Sequence, residues 1–302
     1  MSTRFDGKVA IVTGAGGGLG RQHALALAAR GAKVIVNDFG RAAPGADSTA
    51  LSASDAVVNE IRAAGGTAIA NYASVTDEVA VAAMIRETIG AWGRIDILVN
   101  NAGILRDKSF GKMELSDFRL VIDVHLMGAA ICTKAVWDIM RAQKYGRIVM
   151  TTSSSGLYGN FGQANYSAAK MALVGLMQTL SIEGAKDNIH VNCLAPTAAT
   201  RMTEGLMPPE VLAKLAPESV TPGLLYLVSD DAPTRAILCA GAGTFERAYI
   251  TLTGGAHVGT GPDAAERVAS EFSAISDRSD EIVPENGGAQ GRNEVAKALA
   301  AN

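Results

Sequence analysis

A strand that runs straight into a cluster of glycines limits the fold more than any other feature of this chain. Residues 8–13, KVAIVT, form a short β-rich run, residues 14–20 are GAGGGLG, and a helical pattern follows at once through Arg30. Glycines in this position let backbone N–H groups approach an anion at the positive end of the helix, which predicts a cradle for a dinucleotide pyrophosphate. The alternative is a glycine-rich turn without a ligand. The residues that we assign to the cradle are Gly14, Gly18, Leu19 and Gly20.

The second predicted strand, residues 33–37, ends at an acidic side chain. Asp38 follows Gly20 by eighteen residues, the distance at which an acid hydrogen-bonds the adenosine ribose and repels a 2′-phosphate. The sequence therefore favours NAD over NADP as the cofactor. Arg41 lies three residues further on and could hold a 2′-phosphate, which keeps the NADP alternative open.

Strands and helices alternate along the first half of the chain. Further strands are predicted at residues 67–71, 95–99, 147–152, 190–194 and 237–240, with helices between them. This pattern predicts one α/β domain, a doubly wound and mostly parallel sheet with helices on both faces and its ligand cleft at the carboxyl ends of the strands. An ordinary strand-end turn is the alternative for the group after the fourth strand. The residues that we place in the cleft are Ser74, Val75, Asn101, Ala102 and Gly103.

Three polar side chains in the stretch 153–170 indicate chemistry. Tyr166 and Lys170 lie four residues apart on a predicted helix face, where an ammonium group favours the phenolate and lowers the pKa of the phenol. Ser153 ends the fifth strand and could reach the same cleft. A serine that donates to a carbonyl oxygen, beside a tyrosine that moves a proton, suits interconversion of an alcohol and a ketone. A polar loop with a chance Tyr and Lys is the alternative.

Two other features have both a structural and a functional explanation. His125 lies within a long apolar helix predicted over residues 114–141. It is either a buried structural side chain or a catalytic one. Met202, Leu206 and Met207 follow the sixth strand, and they form either a lid over an apolar substrate tail or a packed surface helix.

Composition excludes several other functions. The net charge of −3 gives no electrostatic reason to expect nucleic acid or a membrane as a partner, and no apolar run reaches the ~20 residues of a membrane span. Cys132, Cys193 and Cys239 are widely spaced, which favours reduced core thiols over a metal site or disulfides. With no signal-peptide pattern before the first strand, we expect a cytoplasmic protein. Residues 1–253 form the expected domain, and the polar residues 254–302 an extension or oligomer arm.

The motifs TGAGGGLG, NNAG and YSAAK, with the serine between the last two, occur in order and at consistent spacings. On these residues the chain resembles the short-chain dehydrogenases/reductases over about residues 5–250. Within that family it is most similar to the (3R)-hydroxyacyl-CoA dehydrogenase domains of peroxisomal multifunctional enzymes and to their free-standing bacterial relatives. The stretches that carry this similarity include VNDFG, NNAGILRDKSF and SGLYGNFGQANYSAAK.

The resemblance implies a Rossmann fold, a homodimer or homotetramer, and a role for each motif residue. It makes Tyr166 the acid/base, Ser153 the partner of the substrate oxygen, and Lys170 the group that lowers the tyrosine pKa and holds the nicotinamide ribose. Asn101 and Thr200 match cofactor contacts of the family.

The chain departs from the family pattern at two positions. His125 stands where an asparagine is usual, as it does in the most similar subgroup, and Thr197 replaces the glycine that usually follows Pro196. These departures affect the fourth catalytic position and the loop on the nicotinamide side.

Together these observations predict an NAD-dependent enzyme that oxidises a secondary alcohol to a ketone. The expected substrate is a (3R)-3-hydroxyacyl-CoA, oxidised to the 3-oxoacyl-CoA in fatty-acid or related acyl-CoA degradation. A hydroxysteroid or a steroid side-chain acyl-CoA is the alternative substrate, and Asp38 argues against an NADPH-dependent acyl-carrier-protein reductase. A non-catalytic NAD-binding protein would be expected to lack Ser153, Tyr166 or Lys170, and all three are present.

Overall fold

A single eight-stranded sheet organises the computed structural model, which describes residues 3–40, 52–199 and 209–301. Its strands lie in the order β3-β2-β1-β4-β5-β6-β7-β8, and the six pairs from β3 to β7 are parallel. The strands are β1 (Val9–Thr13), β2 (Lys33–Asn37), β3 (Thr67–Asn71), β4 (Ile97–Asn100), β5 (Gly146–Thr151), β6 (Ile189–Thr197), β7 (Ile237–Gly241) and β8 (Thr244–Ala248).

Helices lie between the parallel strands and, near the end of the chain, after β8. They are α1 (Gly18–Ala29), α2 (Ala53–Ala63), α3 (Glu78–Trp92), α4 (Leu115–Ile122), α5 (Gly128–Gln143), α6 (Ser154–Tyr158), α7 (Ala164–Gly184), α8 (Pro209–Leu212), α9 (Thr221–Leu227), α10 (Ala264–Ser270), α11 (Phe272–Ile275) and α12 (Gly288–Ala300). Helix α1 packs against α2 and α9, whereas α3 packs against α5 and α4 against α7. The doubly wound α/β class expected from the sequence is confirmed.

The centre of the sheet is apolar on both sides. Every residue of β1, β4 and β5 is buried, because helices cover both faces of a parallel sheet and leave no solvent-facing side for polar residues. The strand order reverses between β1 and β4, since β1 pairs with β2 on one side and with β4 on the other. In such sheets the ligand crevice opens at the carboxyl ends of the two strands at the reversal.

One strand is missing from the sequence prediction. Two residues, Ala242 and Gly243, join β7 to β8, and both have positive φ angles, 50° and 74°. A connection this short permits only an antiparallel hairpin, and two positive φ angles are typical of the tight turns that form one. Strand β8 is largely exposed at the sheet edge and has no apolar alternation, so the Ala-Gly turn was its only signal.

The sequence analysis found no apolar run of membrane-spanning length, but the helical run Leu115–Gln143 is long and apolar enough, by length and composition, to cross a membrane, with mean hydropathy 1.5 over its most apolar part. A core helix passes the same test. In this structure the run is interrupted by a π-helical turn at Asp123–Met127, its two halves pack against α7 and α3, and it buries the polar side chains His125 and Thr133.

The chain divides into two compact units, Met1–Arg247 and Ala248–Asn302. The second unit contains α10, α11 and α12, none of which has a buried side chain. Backbone hydrogen bonds of 2.9 Å in both directions between Leu252 and Ile282 close it into a loop-like structure. The sequence assigned this region to a polar extension, and only α12 had a recognisable alanine-rich pattern.

A buried guanidinium group anchors the amino end of β5. Arg147 is 2% exposed, and its nitrogens donate to the carbonyl oxygens of Ser229 (2.9 Å), Asn188 (2.9 Å) and Asp230 (3.1 Å). Its guanidinium also lies over the ring of Tyr145, with 4.3 Å between Cζ and the ring centroid. These bonds fix the strand that delivers Ser153 to the other edge of the sheet.

We predict that Arg147→Met lowers the free energy of unfolding by about 3 kcal/mol, because it leaves buried carbonyl groups without their hydrogen-bond donor. Urea denaturation of the variant measures this loss. Arg119→Met, which changes an exposed arginine on α4, is the matched control and should leave stability within about 0.5 kcal/mol of the wild type. Equal stability of the two variants would contradict the anchoring role.

Candidate active site

The glycine loop leaves no room for side chains. Gly14 and Gly18 have φ angles of 63° and 51°, in the left-handed region that favours glycine. A Cβ on Gly20 would lie 2.2 Å from the carbonyl oxygen of Gly14. The loop leads into the first turn of α1, where Leu19 packs against the core. A tight glycine turn at a helix N-terminus fits a dinucleotide pyrophosphate.

Asp38 is held directly beside this loop. Its Oδ2 accepts a hydrogen bond from the Gly16 N–H at 2.8 Å, and its Oδ1 accepts one from the Gly40 N–H at 2.7 Å. A carboxylate oxygen can accept more than one hydrogen bond, so both oxygens can still accept from ribose hydroxyls. A Cβ on Gly16 would lie 2.8 Å from Asp38 Oδ2, which explains the glycine there. Arg41 lies outside the described residues.

Thr13 joins the glycine loop to the residues after β4. Its Oγ1 accepts hydrogen bonds from the N–H groups of Asn101 (3.0 Å) and Ala102 (3.1 Å). The Asn101 side-chain amide donates in return to the carbonyl oxygens of Thr13 (2.9 Å) and Gly14 (3.1 Å). Sequence analysis missed Thr13, although a threonine directly before the glycine loop was a signal for it.

The other predicted cofactor contacts lie around the same crevice. Val75 is buried against α5, since a Cβ on Gly128 would lie 2.6 Å from its side chain, and Ser74 is half-buried with its hydroxyl 2.9 Å from that of Thr76. Thr200 and the proposed lid residues Met202, Leu206 and Met207 lie outside the described residues.

Ser153, Tyr166 and Lys170 come together at the carboxyl end of β5. Ser153 lies directly before α6, where its hydroxyl accepts the Ser155 N–H at 3.2 Å and lies near enough to the Tyr166 phenol to affect its pKa. Lys170 follows on α7, with its Nζ 5.4 Å from the Tyr166 ring centroid. That Nζ donates to the Thr151 carbonyl oxygen at 2.5 Å, and the Thr152 hydroxyl donates to the Lys170 carbonyl oxygen at 2.6 Å. Thr151 at the end of β5 and Thr152 directly after it thus hold α7 in register with the serine.

The charge balance differs from the sequence expectation. Burial raises the pKa of Tyr166 above its ordinary value of 10, and the hydrogen bond from Ser153 opposes that rise. Burial lowers the pKa of Lys170 to about 7. Lysine was expected to lower the tyrosine pKa, but an ammonium group that is itself desolvated is only partly charged at neutral pH. In this structure Ser153 is the neighbour that favours the phenolate.

His125 lies behind the tyrosine. The rings of His125 and Tyr166 meet edge to face, with 5.2 Å between centroids and 88° between planes. His125 Nε2 lies 3.0 Å from the N–H and 2.8 Å from the carbonyl oxygen of Ile104. Burial, aided by the nearby Lys170, lowers the pKa of His125 to about 3, so the imidazole is neutral. A Cβ on Gly103 would lie 2.3 Å from the imidazole, which explains that glycine.

A cavity of about 10 Å³ adjoins His125 and is lined also by Asn100 and Lys170. Within the described part of the chain, two buried atoms of its lining residues have no hydrogen-bond partner, His125 Nδ1 and Asn100 Oδ1. A volume of this size holds about one water molecule. His125 is therefore held in a defined polar environment, although the helix around it is apolar.

The arrangement fits a nicotinamide dinucleotide. The glycine loop would hold its pyrophosphate, Asp38 its adenosine ribose, and the crevice beside Asn101 and Gly103 its nicotinamide end. Such a cofactor supplies the hydride acceptor or donor that these side chains lack. Ser153 and Tyr166 can then bind a substrate oxygen and move its proton.

We predict that Lys170→Met stabilises the fold at low pH. Burial lowers the pKa of Lys170 to about 7, so below that pH the folded protein holds a buried charge that destabilises it. Between pH 7 and about 10 the lysine is protonated only in the unfolded chain, and wild-type stability therefore rises with pH. At pH 6 the variant should exceed the wild type by about 2 kcal/mol after the lost hydrogen bond is counted. Urea denaturation from pH 6 to 9.5 measures the difference.

That difference should shrink as the pH rises. A constant difference across the range would contradict the burial of a titrating ammonium group. Lys134→Met, an exposed position on α5, is the control and should show no pH-dependent difference from the wild type.

Comparisons with known proteins agree with this geometry. A family model described as short chain dehydrogenase matches residues 8–210. Peroxisomal multifunctional enzyme type 2 of Drosophila melanogaster is 55% identical over 224 residues, which cover 74% of this chain and 37% of that protein. A short-chain type dehydrogenase/reductase of Mycobacterium tuberculosis is 48% identical and covers 90% of this chain and 95% of its own length. The chain thus spans about a third of the Drosophila relative.

Solved structures give the same family. The full-length Drosophila melanogaster multifunctional enzyme matches with a TM-score of 0.81 and 39% identity, over 99% of this chain and 50% of that one. A 7α-hydroxysteroid dehydrogenase bound to NADH and 7-oxo glycochenodeoxycholic acid matches with a TM-score of 0.70 and 31% identity, over 80% of this chain and 95% of that one. The chain therefore belongs to the short-chain dehydrogenase family.

Proposed function

We propose that this protein uses NAD to oxidise (3R)-3-hydroxyacyl-CoA esters to 3-oxoacyl-CoA esters in acyl-CoA degradation. The observation that carries the proposal is its similarity to a multifunctional peroxisomal enzyme, whose solved structure is 39% identical to this chain against 31% for the steroid dehydrogenase. The complete set of Ser153, Tyr166 and Lys170 in one crevice supports catalysis over a purely cofactor-binding role.

The environment of Asp38 supports NAD as the cofactor. Backbone N–H groups on both sides fix its carboxylate next to the glycine loop, where the adenosine ribose would lie. A 2′-phosphate would place a second negative group against this carboxylate, which is unfavourable at such short range.

The reaction follows from what each side chain does to the substrate hydroxyl. Ser153 holds the oxygen, and the Tyr166 phenolate accepts its proton as the hydrogen on the carbon leaves as hydride. Because the pKa of Tyr166 is raised, the phenol is mainly protonated at neutral pH. Alcohol oxidation therefore gains from higher pH, whereas ketone reduction uses the protonated phenol.

As part of the same proposal the protein works in the cytoplasm as a homodimer or homotetramer. Its described cysteines support a reducing compartment, since all three are free and Cys132 and Cys193 are buried. The oligomer is supported by the family, whose members are typically oligomeric.

A hydroxysteroid or a steroid side-chain acyl-CoA is the second candidate substrate. It is favoured by the match to the 7α-hydroxysteroid dehydrogenase structure, which covers 80% of this chain. The catalytic side chains would perform the same proton transfer on either substrate.

We predict that the purified protein reduces NAD with (3R)-3-hydroxyacyl-CoA esters, and not with the (3S)-esters or hydroxysteroids. Absorbance of the reduced nicotinamide measures turnover across this panel with NAD and with NADP. Turnover of steroids alone would contradict the proposed substrate, and a preference for NADP would contradict the proposed cofactor.

Tyr166→Phe should abolish turnover and keep NAD binding within about twofold of the wild type, because the phenol moves the proton and the glycine loop holds the dinucleotide.

We also predict that Ser153→Ala moves the pH dependence of oxidation upward. The Ser153 hydroxyl lowers the pKa of Tyr166, so its removal should shift the rising limb of kcat/KM to higher pH. It should also reduce kcat about 100-fold, since the substrate oxygen loses a donor. Ser155→Ala is the matched control, because it keeps the backbone N–H that bonds Ser153 and should leave the limb in place. An unmoved limb in Ser153→Ala would refute this role.

A further inference from the structure

The loop that follows the NNAG segment has no role in the proton transfer. Residues 106–112, RDKSFGK, here called the 106–112 loop, leave the crevice beside Tyr166 and reach the surface. Three hydrogen bonds of 2.7–3.0 Å tie its first three residues to residues 162–165, directly before Tyr166. The pairs are Asn165 Nδ2 with Arg106 O, Gln163 Nε2 with Asp107 Oδ2, and Lys108 N with Gly162 O.

Two phenylalanine rings stand in solvent at this junction. Phe110 on the loop is 71% exposed, and Phe161 beside the bonded Gly162 is 90% exposed. Phenylalanine is among the residues most often buried, so two exposed rings on adjoining loops indicate a surface that binds something. Flat aromatic rings favour another flat ring as a partner.

Cations accompany the rings. Arg106 and Lys108 share Asp117 at 3.7 and 3.9 Å, and that acid is 26% exposed against 49% and 52% for the two cations. The two cations are thus more exposed than the acid that they share, while the loop's other acid, Asp107, accepts a hydrogen bond from Gln163. Within the described residues, the Lys112 ammonium has no carboxylate within 4.0 Å, although Glu114 follows it by two residues.

We infer that the 106–112 loop and Phe161 form the subsite for the nucleotide end of coenzyme A. This inference rests on the proposed function. The phosphoadenosine diphosphate group of the coenzyme carries a flat ring and several phosphates, which the exposed rings and the cations can bind by stacking and by charge-assisted hydrogen bonds. The loop leads from the catalytic tyrosine to the surface, as the arm of the coenzyme leads from the reacting thioester to its nucleotide.

Two thioesters with the same acyl group separate the nucleotide from the reacting end. The test compares (3R)-3-hydroxybutyryl-CoA with its N-acetylcysteamine thioester, which lacks the nucleotide, for the wild type, Lys112→Ala and Phe110→Leu. We expect each variant to raise KM for the CoA ester about threefold to tenfold at unchanged kcat, and to leave KM for the short thioester unchanged. Raised salt should increase the wild-type KM for the CoA ester more than that of Lys112→Ala.

Lys186→Ala is the matched control. Lys186 is an exposed lysine before β6, at the opposite edge of the sheet, and its loss should change neither KM. If the wild type oxidises both thioesters and neither variant changes the KM ratio, the subsite is wrong and the proposed function stands. If it oxidises neither thioester, the proposed function is wrong and the subsite falls with it.

Discussion

The contact between two strand ends at the centre of the sheet determines the rest of this active site. Thr13 ends β1 and binds the backbone after β4, while Asn101 returns two hydrogen bonds to the glycine loop. Because strand order reverses between these two strands, no helix lies between their carboxyl ends. The crevice that results can accept a long ligand, and hydrogen bonds of about 3 Å join the two strand ends beside it.

Burial then sets the chemistry of the groups in that crevice. A lysine, a histidine and a tyrosine pack together in the same low-dielectric region, and burial moves each towards its neutral form. Burial alone would make the phenol a weaker acid and leave little phenolate at neutral pH. Hydrogen bonds therefore carry more of the tuning than full charges, which makes the exact position of Ser153 matter as much as its hydroxyl group.

Much of this architecture was predictable from local patterns. The parallel strands of Rossmann type, the glycine loop, Asp38 and the Ser153, Tyr166 and Lys170 set follow from runs of apolar residues, glycine spacing and side-chain chemistry. The predicted cofactor contact Thr200 remains a prediction. Tertiary contacts decided what was missed, since Arg147 looks like one polar residue in an apolar strand until carbonyl groups from distant segments surround it. The direction of the Tyr166 pKa shift was also wrong, because sequence spacing reveals a neighbouring charge and says nothing of its desolvation.

The π-helical turn at Asp123–Met127 makes α4 and α5 two helices of different phase on one continuous axis. Each residue of an α-helix turns the chain by about 100°, so one extra residue per turn rotates everything beyond it to a new face. Helix α4 can thus face α7 while α5 faces α3, and the sequence need not compromise between the two contacts. Deletion of a single residue from the turn would remove this rotation and move the His125 ring away from the face of α7 that carries Tyr166. The alignment of the active site therefore depends on the number of residues in this π-helical turn.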